Sequence, residues 1–363
     1  MKKICFPFLG NKLGGSHKSA IILIRNLDRN SFKPIIVLHS NGILKKFLDK
    51  QNIKYIFLPL KNFVGKKKGY LNIFFSIIYT TLILSKFIVK NKISIIHTND
   101  VSMHLTWAIP SLVTFRKHIW HCRILYPKWR LFKVFSYFPK KIICISKFVR
   151  NSIPNFFYNK SVIIYNAVDK KKNYLKDNSK YKKHAILVGF VANFWERKRP
   201  MDFVNIAEKI ISKSKKNFLF LMVGLNKDYK KESLLKEIKR RKIEKNFLLK
   251  NFVYSIEELI AKFDLLIVPA VNEPFGRTLI EAMYLKTPIL ANNSGGHKEI
   301  IKNNYNGWLY SLNSLNSAAE LAIKIISHKK KNKQILENAF ICVNKKFSLK
   351  KHVKKVSNVY NLL

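Results

Sequence analysis

Glu273 and Glu281, with seven residues between them in the stretch PAVNEPFGRTLIE (residues 269–281), are the densest group of chemistry-bearing side chains in this sequence. An apolar run ends at Pro269, Gly276 lets the backbone approach a ligand closely, and a helical pattern begins near Thr278. Amide donors and the dipole at such a helix start suit a pyrophosphate. Glu281, one turn into the helix, could accept hydrogen bonds from ribose hydroxyls. Glu273, at the loop mouth, could touch a sugar ring or stabilise positive charge developing on its anomeric carbon. The same residues would equally make a capped helix with solvated carboxylates, because E-P-F-G by itself is a turn.

A second group lies in VGFVANFWERKRP (residues 188–200). Arg197, Lys198 and Arg199 stand between a strand and a helix that has Pro200 near its first position. A lysine there could neutralise a leaving diphosphate, where negative charge gathers as a glycosyl–phosphate bond breaks. With 69 basic residues in the chain a single lysine is more often solvated, so Lys198 stands out by its place after a strand. Gly14-Gly15 is a weak phosphate or substrate turn. HIWHCR offers His121 and Arg123, although a lone histidine near a strand is more often structural. A Walker-type loop, a full G-x-G-x-x-G, a nucleophile elbow and a zinc triad are all absent from the sequence.

Loops like these must be held by strands. Residues 3–8 read as a strand, followed by the glycine turn and by Ser16 as the N-cap of a helix whose Ala20, Leu23, Ile24 and Leu27 fall on one face. Further strands are expected at 34–39, 54–58, 94–97, 118–122, 141–145 and 162–165. DKKKNYLKDNSKYKK (residues 169–183) is nearly free of apolar residues, as a solvated linker would be. After it the pattern restarts, with strands at 185–192, 218–223, 248–249, 265–269 and 288–291 between helices at 199–212, 229–240, 256–262 and 278–285. Alternation of this kind predicts two Rossmann-like, doubly wound parallel-sheet α/β domains facing across a cleft, with ligands at the strand carboxyl ends. The expected division is an N-terminal domain at 1–168, a linker at 169–184 and a C-terminal domain at 185–345. A last helix at 346–363 is expected to cross back to the N-terminal domain.

The chain has 363 residues, 48% of them hydrophobic, which excludes wholesale disorder. Its formal charge is +49, from 69 Lys and Arg against 20 Asp and Glu. An anionic partner such as nucleic acid, lipid headgroups or a phosphorylated substrate would account for it. Compositional drift would as well, since Ile, Asn and Phe, amino acids of AT-rich codons, are abundant beside Lys and the charge is spread along the chain. Cys5, Cys122, Cys144 and Cys342 have no paired or metal-ligand spacing and read as reduced intracellular thiols. The start, MKKICFPFLGNKLGG, fits a first strand better than a signal peptide. Residues 70–89 are long enough to span a bilayer, but Asn72, Ser76, Thr80, Thr81, Ser85 and Lys86 form a polar stripe. That favours a buried or interfacial helix, with Lys66, Lys67, Lys68, Lys90 and Lys92 in reach of anionic headgroups.

Taken in order, these stretches resemble the retaining glycosyltransferases of family 4 (glycosyl transferases group 1), which have the GT-B fold. The two glutamates within NEPFGRTLIEAM look like that family's signature, continued by TPILANNSGGHKEII and NGWLY. KLGGSHKSAI, IIHTND, IICISKFVRNSI, VIIYNAVD, LVGFVANFWERKRP and FLMVG resemble its successive strand-end segments. The resemblance implies a metal-independent hexosyltransferase using an NDP-sugar as co-substrate, with no cofactor. The donor would be held by the C-terminal domain and the acceptor by the N-terminal one; the basic N-terminal half and the helix at 70–89 point to a saccharide or lipid-linked acceptor of cell-envelope polysaccharide or lipopolysaccharide synthesis. Lys198 matches the residue at the donor phosphates, and Phe275, Gly276, Arg277 and Thr278 the backbone segment at phosphates and sugar. Glu281 matches the ribose-binding carboxylate, Glu273 the carboxylate at the transferred sugar, His121 the catalytic-site histidine and Gly15 the loop glycine at diphosphate or acceptor. Asn193 occupies the place of an arginine in many relatives, so phosphate neutralisation would lean on Lys198 and Arg197. Ala167 replaces a turn glycine.

The isolated cysteines and the strand-like start lead to the expectation of a cytoplasmic protein, and the lysines around 70–89 make the inner face of the cytoplasmic membrane a candidate anionic surface, with no specific nucleic acid as partner. An epimerase or phosphorylase of the same fold is the competing enzyme class, and an acceptor or inorganic phosphate requirement separates the three. A nucleic-acid-binding protein is the competing class outside enzymes. The charge is diffuse, however, and no basic cluster is interleaved with aromatics in an RRM or KH pattern.

Overall fold

The computed structural model describes the chain apart from residues 61–69, 170–184, 226, 252 and 254 and the side chains of residues 70–74, 130 and 131. The linker expected at 169–184 therefore lies, from residue 170 on, outside the described residues, as do Lys66, Lys67 and Lys68. The chain divides into two units, Met1–Asn166 with Leu349–Leu363, and Ala167–Ser348.

The first unit runs β1 (Lys2–Phe8), α1 (Gly15–Asn26), β2 (Phe32–Leu38), α2 (Ile43–Lys50), β3 (Ile56–Phe57), α3 (Tyr70–Lys90) and β4 (Ile95–Thr98). It continues with α4 (Val101–Val113), β5 (Lys117–Cys122), α5 (Arg130–Phe135), β6 (Lys141–Cys144), α6 (Lys147–Arg150) and β7 (Ser161–Ile163). These seven strands form one sheet in the order β3-β2-β1-β4-β5-β6-β7, and each neighbouring pair is parallel.

The second unit runs β8 (Ile186–Val191), α7 (Pro200–Lys213), β9 (Phe218–Val223), α8 (Lys231–Arg240), β10 (Phe247–Lys250), α9 (Ile256–Ile260) and β11 (Leu265–Val268). It continues with α10 (Arg277–Tyr284), β12 (Ile289–Asn292), α11 (His297–Ile300), β13 (Trp308–Tyr310), α12 (Leu315–Ser327) and α13 (Lys329–Lys346). Its six strands lie in the order β10-β9-β8-β11-β12-β13, again parallel. The last helix, α14 (Leu349–Asn361), belongs to the first unit.

Both sheets reverse direction beside their first strand, between β1 and β4 and between β8 and β11. Loops diverge at such a switch point and leave a crevice beyond the strand carboxyl ends. The central strands are near-continuous apolar runs because helices cover both faces. Ile4, Cys5 and Phe6 in β1 and Leu265, Leu266 and Ile267 in β11 are all buried. In the second unit the core is aromatic, with Phe203 of α7 packed 5.4 Å from Phe190 and 6.0 Å from Phe220 between ring centres.

One expectation is corrected. Ser16 does not cap α1: the cap is Gly14, whose N–H donates to Nδ1 of His17 at 3.2 Å, which places Ser16 inside the first turn. α3 turns part of its polar side inward. Thr80 is buried and Ser85 has a buried Oγ, while Phe75, Ile78, Tyr79, Leu82 and Val89 are exposed. Leu84 and Ile88 make the inward contact, with Cys5, Ile96 and Trp107. Among the described residues, no helix is long and apolar enough to cross a membrane.

The first unit buries an unusual number of histidines. His97, His104, His118, His121 and His352 are all nearly inaccessible, and His104 stacks on Trp120 at 4.7 Å. Burial drives each below its ordinary value, to about 3 for His118 and about 4 for His352. With the folded value depressed, the unfolded chain takes up protons below about pH 6.5 that the folded unit refuses. Stability is therefore fully present above that pH and is lost progressively as pH falls toward 4 and then 3. Each such histidine costs on the order of 2 kcal/mol at about pH 5. A thermal unfolding series from about pH 7.5 to 5 should show a marked fall in midpoint, and His118→Gln should flatten it; a flat wild-type profile contradicts the assignment.

Candidate active site

Glu273 sits in the loop after β11 and Lys198 in the loop after β8, the two strands that flank the switch point of the second sheet. The fold brings them into contact. Lys198 Nζ donates to Glu273 Oε2 at 2.7 Å, and Arg197 Nη1 donates to the same oxygen at 2.6 Å. Glu273 and Lys198 are largely enclosed, with side chains 13% and 18% exposed, whereas Arg197 is 47% exposed. One cation of the pair is thus set inside and the other at the rim.

Burial alone would raise the Glu273 carboxyl, but the charges of Lys198 and Arg197 with the Lys198 hydrogen bond outweigh it and hold it at about 2. Burial lowers Lys198 from its ordinary value, with Glu273 opposing the fall. Glu273 is consequently an ionised carboxylate at any physiological pH. It can face developing positive charge or accept from a hydroxyl, and it has no proton to give.

Both loops are held in unusual backbone. Arg199 (φ 55°) and Asn272 (φ 49°), neighbours of Lys198 and Glu273, are left-handed. A few such residues persist only where surroundings over-determine them. The Val271 N–H donates to the Arg197 carbonyl at 2.9 Å, stitching one loop to the other. The Arg199 Nε donates to Asp202 Oδ2 at 2.7 Å, which fixes the entry into α7.

Gly276 caps α10 at φ +108°, a conformation closed to most side chains, and its backbone lies against His297. Phe275 turns its ring into the core, edge-on to Phe347 at 5.7 Å, so this residue offers a ligand its backbone only. Thr278 is half-buried in the first turn. Arg277 donates through Nε and Nη2 to Glu281 Oε1 at 3.0 and 2.6 Å, so Glu281 lies almost wholly enclosed with one oxygen held. Asn193 accepts from the Leu225 N–H through Oδ1 at 3.2 Å, tying the loops after β8 and β9 together.

The loop after β12 escaped the sequence reading of individual residues. The Gly296 N–H donates to the Glu273 carbonyl at 2.8 Å, and the Asn272 N–H to Ser294 Oγ at 3.0 Å. His297 is buried, with its Nδ1–H donating to the Asn292 carbonyl at 3.0 Å. Burial lowers its pKa against the pull of Glu273. The Gly-Gly pair after a strand was the available signal, since it marks a close backbone approach.

Gly15 and His121 lie in the first unit, at the start of α1 and within β5. His121 is fully buried, its Nδ1 3.1 Å from His97 Nε2 and 3.2 Å from Arg123 Nη2. Arg123 also donates to Asn99 and Asn166. Among the described residues, no group of three or more His, Cys, Asp and Glu is arranged to hold a metal ion.

Two parallel α/β units with strand-end loops of this kind define the GT-B fold. Along its whole length the chain superposes on the structure of Anabaena Alr3699/HepE in complex with UDP-glucose, with a TM-score of 0.83, 20% identity and all of both chains covered. Residues 13–172 match the model of Glycosyltransferase Family 4, and residues 170–341 that of Glycosyl transferases group 1. The chain belongs to this glycosyltransferase family. It is 30% identical over 234 residues to the uncharacterized glycosyltransferase MJ1178 of Methanocaldococcus jannaschii, covering 61% of this chain and 60% of that protein. It is 27% identical over 231 residues to the O-antigen biosynthesis glycosyltransferase WclY of Escherichia coli, covering 61% and 62%. The matched region thus spans about three-fifths of these two curated relatives.

Gly295 is the most constrained point of the supporting loop. Its φ is +55°, and a Cβ there would stand 2.7 Å from the Glu273 carbonyl oxygen and 2.8 Å from its nitrogen. Gly295→Ala should cost about 1–3 kcal/mol in urea denaturation. An unchanged midpoint would mean that the two loops are not pressed together.

Proposed function

We propose that the chain is a retaining, metal-independent hexosyltransferase that moves a sugar from an NDP-sugar to a saccharide or lipid-linked acceptor of the cell envelope. The observation that carries this is the placement of Lys198 and Arg197 on Glu273 beside the N-terminus of α10. The bound UDP-glucose of HepE supports a uridine donor, and the O-antigen role of WclY an envelope acceptor.

In this reading the donor diphosphate competes with Glu273 for the two cations and lies against the amides at Gly276. Asn193 braces the loop, the backbone of Phe275, Arg277 and Thr278 faces phosphates and sugar, Glu281 takes the ribose, and Gly15 lies at diphosphate or acceptor. The bond from the anomeric carbon to the phosphate oxygen breaks, with its electrons going to the diphosphate. The acceptor hydroxyl attacks from the same face and passes its proton to that departing oxygen. Glu273, fixed as a carboxylate, stabilises charge at the anomeric carbon, and His121 contacts the sugar. Cationic side chains take the neutralising work that a metal ion does elsewhere, so a chelator should leave turnover intact.

Lys198→Ala removes one preorganised charge, worth about 3 kcal/mol of barrier, and should lower turnover about 100-fold or more. The assay incubates NDP-sugars with and without acceptor and with inorganic phosphate. Release of NDP only with acceptor supports transfer, whereas consumption without acceptor or a phosphate requirement points to an epimerase or a phosphorylase. A Lys198→Ala protein with normal turnover would refute the clamp.

The partner surface we propose is the inner face of the cytoplasmic membrane, with the chain peripheral to it. Phe75, Tyr79, Leu82 and Val89, spaced along α3, are 63%, 65%, 66% and 58% exposed, and Lys86 and Lys90 flank the last of them. Residues 1–166 and 349–363 carry 33 Lys and Arg against three Asp and Glu, a formal +30 of the chain's +49. An apolar helix face within a cationic unit suits an anionic bilayer. Sedimentation with phosphatidylglycerol-containing vesicles should capture the protein, and the double variant Tyr79→Glu, Leu82→Glu should abolish capture. Capture that persists in the variant would refute this face.

A further inference from the structure

We propose that Tyr360, on the last helix, is a positioning residue that holds the His97 ring so that His97, together with Arg123, fixes His121 as a neutral Nε2–H donor. Three contacts in the first unit form an unbroken line. Tyr360 Oη lies 2.6 Å from His97 Nδ1, His97 Nε2 lies 3.1 Å from His121 Nδ1, and Arg123 Nη2 lies 3.2 Å from that same His121 nitrogen.

Arginine has no acceptor, so its presence at 3.2 Å makes His121 Nδ1 the acceptor and leaves the proton of neutral His121 on Nε2. His97 Nε2 faces the same lone pair, so it too must donate, and His97 Nδ1 is left bare. Tyr360 completes the line by donating its O–H to that bare nitrogen. Each step follows from the one before. Burial, reinforced by the Arg123 charge, keeps both imidazoles neutral, and burial keeps the Tyr360 phenol protonated.

His121 ends the line with a buried Nε2 that has no hydrogen-bond partner among the described residues. A buried N–H without a partner is costly, and a ligand oxygen would satisfy it. The consequence for chemistry is definite. His121 can donate a hydrogen bond to a substrate oxygen, but it cannot serve as a base, because Nε2 is already protonated and Nδ1 is engaged by two donors.

The last helix is built to deliver this hydroxyl. His352, Val356, Val359 and Tyr360 fall on its buried face, and Lys350, Lys351, Lys354 and Lys355 on its other side. Tyr360 packs edge-on against Phe32 at 5.4 Å, and His352 donates from Nδ1 to the Tyr165 carbonyl at 2.7 Å while its ring stacks on His121 at 6.3 Å. A segment at the far end of the sequence thus anchors the ring that, together with Arg123, sets the proton position on a strand residue of the first sheet.

The role in turnover rests on the reading that His121 touches the substrate; the tautomer assignment does not. The test is a long-range 1H–15N spectrum of the full chain labelled at its histidines, with His97 and His121 assigned by loss of signal in His97→Asn and His121→Asn. Both rings should be protonated at Nε2 in the wild type. In Tyr360→Phe, His97 Nδ1 loses its donor and its 15N resonance should move to that of an unbonded ring nitrogen, with kcat falling about tenfold, the cost of one lost hydrogen bond, and the donor KM staying within about twofold. A wild-type spectrum with either ring protonated at Nδ1 overturns the relay without any variant having to fold. A shifted His97 Nδ1 resonance with unchanged kcat overturns the positioning role. Should the wild type turn over no NDP-sugar, the glycosyl-transfer reading has failed, and the spectrum still decides the relay.

Discussion

One carboxylate holds the second unit's site together. Glu273 Oε2 takes hydrogen bonds from both Lys198 and Arg197, and its own backbone carbonyl takes the Gly296 N–H. Enclosing a lone lysine such as Lys198 would be unfavourable, and an enclosed carboxylate alone would protonate. Two partly enclosed cations sharing one anion solve both problems and leave a net positive site. An anionic ligand is therefore attracted to the place where the protein has already met the cost of desolvation, and the loops need not be reorganised to receive it.

This arrangement depends on topology as much as on side chains. Lys198 and Glu273 are 75 residues apart, and they meet because β8 and β11 are adjacent strands whose following loops diverge at the switch point. A sheet whose order did not reverse there would bring other loops together. The left-handed Arg199 and Asn272 then trim each loop so that the two heads coincide. Strain in these two residues is affordable because the apolar strands beneath, buried on both faces, supply the rigidity.

Much of the frame was legible because its signals are local. Short apolar runs between helical periods mark the strands, and turn residues mark the loops after β8 and β11. What was not legible lies in long-range partners. The Arg277–Glu281 pair has the i, i+4 spacing of a helix pair, yet the type of contact each makes depends on burial, and the backbone role expected for Arg277 leaves out its side-chain ion pair. α4 carries Pro110 inside it and was not anticipated, since proline reads as a breaker; its start is set by Asp100, which accepts from the Met103 N–H at 2.8 Å. For α3 the hydrophobic pattern was plain but its orientation was not. Polar spacing marks one face of the helix without saying which way it turns, and packing against Trp107 and Ile96 turns Thr80 and Ser85 inward.

The histidines illustrate how far a single-residue prior can mislead. Taken alone, His121 is more often a structural strand residue than a functional one, and its complete burial agrees with that. Some buried histidines are fully partnered, as His39 is by donating from Nδ1 to the Leu58 carbonyl and accepting from Trp107 Nε1–H, whereas His118 and His297 each leave one nitrogen, and His104 both, without a hydrogen-bond partner among the described residues. His121 satisfies one, and does so with two donors directed at a single lone pair. What sets His121 apart is the pair of donors on one nitrogen, which fixes its proton on the other. The asymmetry is what a site that must present a proton in a fixed direction requires, because a ring free to exchange tautomers would present a lone pair as often as an N–H.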